Sequence, residues 1–324
     1  MSVGPAPEME NVFSEQDARR ARQRAVGEEL LRLVEERGDV VVLSADMGAV
    51  MSDLRQRHPE RYIELGIAET NTVSVAAGMA ACGLIPYVVS MGPFGIIKCA
   101  EQLRSDVAYP RLPVRFVARL SGLAMGFFGT THHAVEDIAI ARSITNLTVV
   151  APCDERSTQA LIRSTVEHPG PVFYRISEGA DEVYPDPPEI PPGSFVTVRE
   201  GRDATVIATG LGVGAAVGAA RLLEAEGIEV RVLDAAYLKP LDEAAIVRAG
   251  SETGAILTVE EHNVIGGLGT AVAEVLARHR VPARLAIHGL PDADLEVAAP
   301  AALLEHYGLT STGVAARVRR LLAA

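Results

Sequence analysis

The chain has 324 residues, 48% of them apolar, which is enough for two ordinary domains with sizeable cores and places it among soluble globular proteins. Lys and Arg number 30 against 42 Asp and Glu, and the formal charge of −12 argues against nucleic-acid or anionic-membrane binding while leaving room for an anionic small substrate held by a few arginines. No apolar run is long enough to span a membrane, and Cys82, Cys99 and Cys153 have neither metal-ligand spacing nor a disulfide framework, which suits a reducing cytoplasm.

Residues 1–13 lack the basic start and apolar core of a secretory signal and read as a flexible tail. Ser14, with Asp17 three residues on, reads as a helix N-cap, and Ala18, Ala21, Ala25, Val26, Leu30, Leu33 and Val34 recur at helical spacing up to Gly38. Val40-Val41-Val42-Leu43 is a continuous apolar run, the mark of a strand buried on both faces. Asp46 lies where that strand ends, and in open α/β sheets ligands gather at such ends.

A short extended run, Arg61 to Leu65, leads into Gly66-Ile67-Ala68-Glu69-Thr70 and then a small-residue helix from Asn71 to Cys82. Glu69 therefore sits at a strand-to-helix junction among Ile67, Ala68, Val73, Val75 and Ala76. Apolar surroundings disfavour the charged form of a carboxyl and suit a group that passes a proton back and forth near neutral pH. The plainer alternative is a helix N-terminal Glu held by the helix dipole.

The alternation continues with helical segments near 70–82, 95–107, 134–142 and 154–167 and strands at 85–90, 114–118, 147–150 and 172–175. From 178 to 193 the prolines Pro185, Pro187, Pro188, Pro191 and Pro192 interrupt both helix and sheet and mark a linker. The pattern then restarts, with strands at 205–209, 228–233, 255–259 and 285–288 and helices near 215–226, 242–249, 266–278 and 314–322. The expected fold is α/β, two domains (14–177 and 194–324) whose mostly parallel sheets are covered by helices. Gly210-Leu211-Gly212-Val213-Gly214 lies between a strand and a helix, but its spacing departs from a dinucleotide fingerprint, and tight turning with close helix–strand packing explains the glycines better.

Six stretches, in order over nearly the whole chain, resemble the transketolases and their thiamine-diphosphate-dependent relatives. They are Tyr62-Ile63-Glu64-Leu65-Gly66-Ile67-Ala68-Glu69; Gly129-Thr130-Thr131-His132-His133 leading into Glu136-Asp137-Ile138-Ala139; Val149 to Asp154; Pro171-Val172-Phe173-Tyr174-Arg175; Asp203 to Gly210; and Val259-Glu260-Glu261-His262 with Gly266-Gly267-Leu268-Gly269. The resemblance covers the pyrimidine-binding and C-terminal domains of a transketolase. The Gly-Asp-Gly run that holds the divalent metal in the family's diphosphate-binding domain is absent from the sequence. The resemblance therefore implies one half of a split enzyme, with Mg2+ or Ca2+ and the diphosphate bound by a separate N-terminal transketolase subunit, two such pairs forming an α2β2 heterotetramer, and a sugar or keto substrate of carbohydrate metabolism.

Carried over residue by residue, Glu69 is the acid that bonds the aminopyrimidine, and a two-carbon unit is then moved from a ketose to an aldehyde. Phe94 is the aromatic against the pyrimidine, Ile67 lies beside the cofactor, and Asp46 lies near the thiazolium. His132 faces the substrate, while Arg175 and Arg24 match arginines that grip a sugar phosphate. Leu120 and Phe128 stand where sugar-metabolising transketolases place a His and an Asp, so Phe128 makes the mouth of the site apolar and points to an unusual donor or acceptor. Glu260, Glu261 and His262 read as interface or structural groups. The rival readings are the β subunit of a 2-oxo-acid dehydrogenase, with the same layout and the same Glu, and a non-catalytic scaffold subunit that has kept the fold.

Overall fold

A computed structural model describes residues 24–178, 181–186 and 188–323. The expected tail and the cap at Ser14 and Asp17, with Ala18 and Ala21, lie outside those residues; the helix itself is observed over Arg24–Glu36. The strands are β1 (Val40–Ser44), β2 (Tyr62–Glu64), β3 (Ile85–Met91), β4 (Arg115–Arg119), β5 (Thr148–Val150), β6 (Val172–Arg175), β7 (Val196–Arg199), β8 (Ala204–Ala208), β9 (Val230–Asp234), β10 (Tyr237–Lys239), β11 (Ala255–Asn263) and β12 (Arg284–Leu290).

They form a 7-stranded sheet, ordered β10-β5-β6-β4-β3-β1-β2, and a 5-stranded sheet, ordered β12-β11-β8-β9-β7. All pairings are parallel except those of β10 with β5 and β7 with β9. β1 is the apolar strand expected on both faces, and all five of its residues are buried. Val42 of β1 sits opposite Tyr62 on one side and Tyr87 on the other. The chain leaves β1 toward β2 and returns on the far side as β3, which opens a crevice outside the carboxyl ends of β1 and β3.

Helices over Glu69–Ala81, Asp137–Ser143 and Glu155–Ser164 flank the first sheet, and helices over Gly212–Glu224, Glu243–Thr253, Leu268–His279 and Ser311–Ala323 flank the second. Helix Gly212–Glu224 packs so closely on β11 that a Cβ on Gly212 would meet Val259 O at 2.9 Å, so packing is the reason for a glycine here. Asp234, which a dinucleotide reading would aim at a ribose, is fully buried and accepts the Tyr184 hydroxyl at 2.9 Å.

Three features depart from the sequence pattern. β10 crosses from the second half of the chain to the edge of the first sheet, where Ala151 N donates to Ala236 O at 2.8 Å beside the β5 pairing. The helix expected over 95–107 is broken into Gly92–Ile97, Ala100–Gln102 and a π-helical stretch over Leu103–Ala108. The helix expected from 134 begins at Asp137, because Ala134 instead pairs as an isolated bridge with Gly122. One apolar cluster joins the two halves, with Ile138, Leu147 and Val149 of the first packed among Ile207, Ile246 and Leu268 of the second.

Candidate active site

Of the sequence-selected residues, Asp46, Ile67, Glu69, Phe94, Phe128 and His132 follow the carboxyl ends of β1 to β4. Glu69 is the first residue of helix Glu69–Ala81 and is 6% exposed, with buried Val73 on the same helix and buried Cys99 facing it. Burial, then the charge of Glu69, pushes the Cys99 thiol up to about 12, which makes it a packing group and not a nucleophile. The expectation of wholly apolar surroundings for Glu69 is corrected by one residue. Lys98 Nζ lies 3.6 Å from Glu69 Oε2, and a cation at that range offsets part of the cost of burying a carboxylate.

Phe94 follows β3 in helix Gly92–Ile97. The Lys98 ammonium stands over its ring, 4.7 Å from the centroid. The His132 ring meets the Phe94 ring edge-on at 5.2 Å and the Phe128 ring at 4.6 Å. Thr131 Oγ1 and His132 Nδ1 are 2.9 Å apart, so the imidazole is oriented by its neighbour with Nε2 left to other partners. His133 is buried against Gly126 O and turns away from this group. Glu69, Phe94, Phe128 and His132 thus form one continuous chain of contacts through Lys98. Phe128, at 55% exposure, presents apolar surface at its rim, and Ile67, two residues before Glu69, is 75% exposed.

Asp46 is exposed and sits at φ 59° just beyond β1. Its backbone N–H and that of Gly66 both donate to Glu64 Oε1 at 3.0 Å, and the Tyr62 hydroxyl donates to Glu64 Oε2 at 2.5 Å. Glu64 therefore staples the loop after β1 to the turn that delivers Glu69. Burial raises its affinity for a proton, but the Tyr62 hydroxyl and the two backbone donors outweigh that and hold the carboxyl below its ordinary range. Glu64 and Lys98 are the site residues that sequence reasoning passed over. The signal for Glu64 is its same-face spacing with Tyr62 on β2; Lys98 has none, because its contacts are set by the broken helix.

Arg24 is exposed and lines a cavity of about 620 Å³ with Gly27, Ala49, Val50 and Met51, in the loop that follows Asp46. Arg175 is placed otherwise than expected. It is 1% exposed, its Nε donates to Asp137 Oδ2 at 3.0 Å, Nη1 to Ser177 Oγ at 2.8 Å and Nη2 to the Glu261 carbonyl at 2.7 Å. A guanidinium closed off from solvent with these donors engaged does not grip a sugar phosphate; it ties the two halves of the chain together.

Glu261 completes that tie, accepting from Leu123 N–H and Ser177 Oγ at 2.7 Å each. Burial pushes its carboxyl up, against the pull of Arg175. Glu260 accepts from Leu268 and Gly269 N–H, and burial pushes it up to about 7. His262 is buried 3.9 Å from Asp137. These three are structural within the chain. Leu120 begins the loop to His132 at φ 56°, a left-handed conformation that costs a leucine about 1–2 kcal/mol. Among the described residues no group of three or more His, Cys, Asp or Glu is arranged to hold a metal ion.

Residues 19–181 match the family described as transketolase, pyrimidine binding domain, and residues 193–314 match transketolase, C-terminal domain. The chain is 37% identical over 298 residues to one of the subunits of apulose-4-phosphate transketolase from Phocaeicola vulgatus, covering 91% of this chain and 95% of that one. It is 38% identical over 302 residues to 1-deoxy-D-xylulose-5-phosphate synthase of Heliobacterium modesticaldum, covering 91% of this chain and 46% of that one. A solved structure described as split gene transketolase, inactive beta4 tetramer, superposes with a TM-score of 0.84 at 38% identity, covering 93% of this chain and 98% of that one.

Proposed function

Since this chain belongs to the transketolase family, we propose that it is the pyrimidine-binding subunit of a split, thiamine-diphosphate-dependent enzyme that moves a two-carbon ketol unit from a ketose-like donor to an aldehyde. The observation that carries the reading is the buried Glu69 carboxyl beside the Phe94 ring, the two joined through Lys98 Nζ. A buried acid next to an aromatic face fits an aminopyrimidine, which needs one hydrogen-bonding edge and one stacking face.

The similarity to one subunit of a two-subunit transketolase and to a split gene transketolase supports a separate chain that would supply the diphosphate site with Mg2+ or Ca2+, two such pairs assembling as an α2β2 heterotetramer. When bound, the cofactor supplies the nucleophilic ring carbon that carries the two-carbon unit. Glu69 holds or shares the proton at the pyrimidine edge, Phe94 offers the ring its stacking face, and Ile67 adds an apolar contact beside it. His132, steered by Thr131, hydrogen-bonds a substrate oxygen at the mouth. Asp46 faces the same crevice from the end of β1. Arg24 offers a cation for an anionic substrate end, and Phe128 replaces a polar contact with an apolar one.

No helix among the described residues is long and apolar enough to cross a membrane, and a place in cytoplasmic carbohydrate metabolism fits the reading. The test is reconstitution with a separate diphosphate-binding transketolase chain, thiamine diphosphate, Mg2+ and mass-shifted ketoses. Two-carbon transfer is expected, and Glu69→Gln should abolish it without unfolding the complex. Carbon dioxide release from a 2-oxo acid would instead mark a dehydrogenase subunit, and unchanged activity in Glu69→Gln would mark a scaffold.

A further inference from the structure

Lys98 has no role in the proposed reaction, yet it touches both groups on which that reaction rests. Its Nζ is 3.6 Å from Glu69 Oε2 and 4.7 Å from the Phe94 centroid. The Lys98 side chain is 51% exposed, whereas that of Glu69 is 7% exposed. One flexible, water-accessible ammonium therefore presents hydrogen-bond donors to the acid and a positive charge to the ring face. A nitrogen heterocycle with a donor edge makes the same two demands on the same two groups. Both occupants cannot be there together.

We infer that Lys98 is a displaceable stand-in for the pyrimidine ring, neutralising Glu69 and covering Phe94 until the cofactor takes its place. The inference rests on the proposed function, which assigns that ring to Glu69 and Phe94. A stand-in answers a physical need, because a carboxylate buried as deeply as Glu69 is costly without a counter-charge or donor. Lysine also suits the task better than arginine. Its ammonium sits on a four-carbon stem and makes no planar fork with the carboxylate, so it leaves easily, and the exposed stem can carry it into solvent.

The test measures the Kd of thiamine diphosphate with Mg2+ by calorimetry on the reconstituted complex. Lys98→Met keeps the stem and removes the charge, so Kd should tighten about three- to tenfold, the combined scale of one half-exposed ion pair and one cation–π contact that no longer have to be broken. Lys98→Arg, whose fork grips the carboxylate more firmly, should weaken Kd severalfold. In a Glu69→Gln background, where only the contact with the Phe94 ring remains to be broken, the Lys98→Met gain should be smaller than in the parent, the difference measuring the Lys98–Glu69 coupling. The Lys98→Met chain should also melt lower than the parent without cofactor and not when saturated. A Kd that weakens or stays unchanged in Lys98→Met overturns the inference and leaves the proposed function standing. Failure of the parent complex to bind thiamine diphosphate at all overturns both.

Discussion

Arg175 Nε lies 3.0 Å from Asp137 Oδ2, and neither side chain reaches solvent. Ser177 and the Glu261 carbonyl take up the remaining reach of the guanidinium, so the ion joins the end of β6 to the helix at Asp137 and to β11. Arg175→Met leaves two carboxyls, Asp137 and Glu261, buried without their counter-charge. The expected loss is about 3–5 kcal/mol of stability, read as a lowered urea midpoint of the purified chain. A variant of parental stability that only raised a substrate KM would restore a phosphate-gripping role.

Gly122 adopts φ 67°, and a Cβ there would fall 2.2 Å from Glu261 Cδ. Moving the Glu261 carboxyl aside would break its hydrogen bonds from Leu123 N–H and Ser177 Oγ and part it from Arg175. Gly122→Ala should therefore break the Glu261 contact to Leu123 N–H and the bridge to Ala134 that together set the loop carrying His132. Left-handed strain alone costs about 1–2 kcal/mol, and the clash adds to it. Activity of the reconstituted enzyme should fall at least about tenfold, with a lower melting temperature. Near-parental activity would show that the loop tolerates a shift of Glu261.

Burial pushes the Asp234 carboxyl up from 3.8 to about 7, against the hydrogen bond from Tyr184. The native state then holds a proton that the unfolded chain has already released across that window. Stability must fall as pH rises through it and level off above about 7. Asp234→Asn keeps an acceptor for the Tyr184 hydroxyl but cannot titrate. Between about pH 5 and 7 its stability should decline less steeply than that of the parent, by on the order of 1 kcal/mol per pH unit. Parallel urea midpoints across that range would show that Asp234 is ionised in the native chain.

Phe128 is 55% exposed and its ring meets that of His132 at 4.6 Å. Removing an exposed ring costs little stability, but it frees the imidazole from one wall. Phe128→Ala should change the melting temperature by only a degree or two and lower kcat/KM about three- to tenfold. Phe128→Asp should shift preference toward substrates with an additional hydroxyl near the reacting carbonyl. Steady-state rates with a hydroxylated and a deoxy acceptor separate these outcomes, and equal ratios in parent and variant would remove Phe128 from substrate selection.

Local sequence period determined a great deal here. Val40 to Leu43 reads as a doubly buried strand because its apolar run allows no wet face, and β1 is buried throughout. Strand and helix spacing marked the two parallel sheets, and a carboxylate at a strand-to-helix junction drew attention to position 69. Such signals lie within a few residues of one another. Tertiary structure alone decided where charges ended up, because a guanidinium's surroundings come from distant segments. Arg175 meets Asp137, Ser177 and Glu261, the last 86 residues away. Only folding could bring Lys98 to Glu69, since the break after Ile97 sets the direction of its side chain. Tyr237–Lys239 joined the first sheet for a similar reason. Three residues carry too little period to announce a strand, and the free edge of β5 supplies the partner that makes them one.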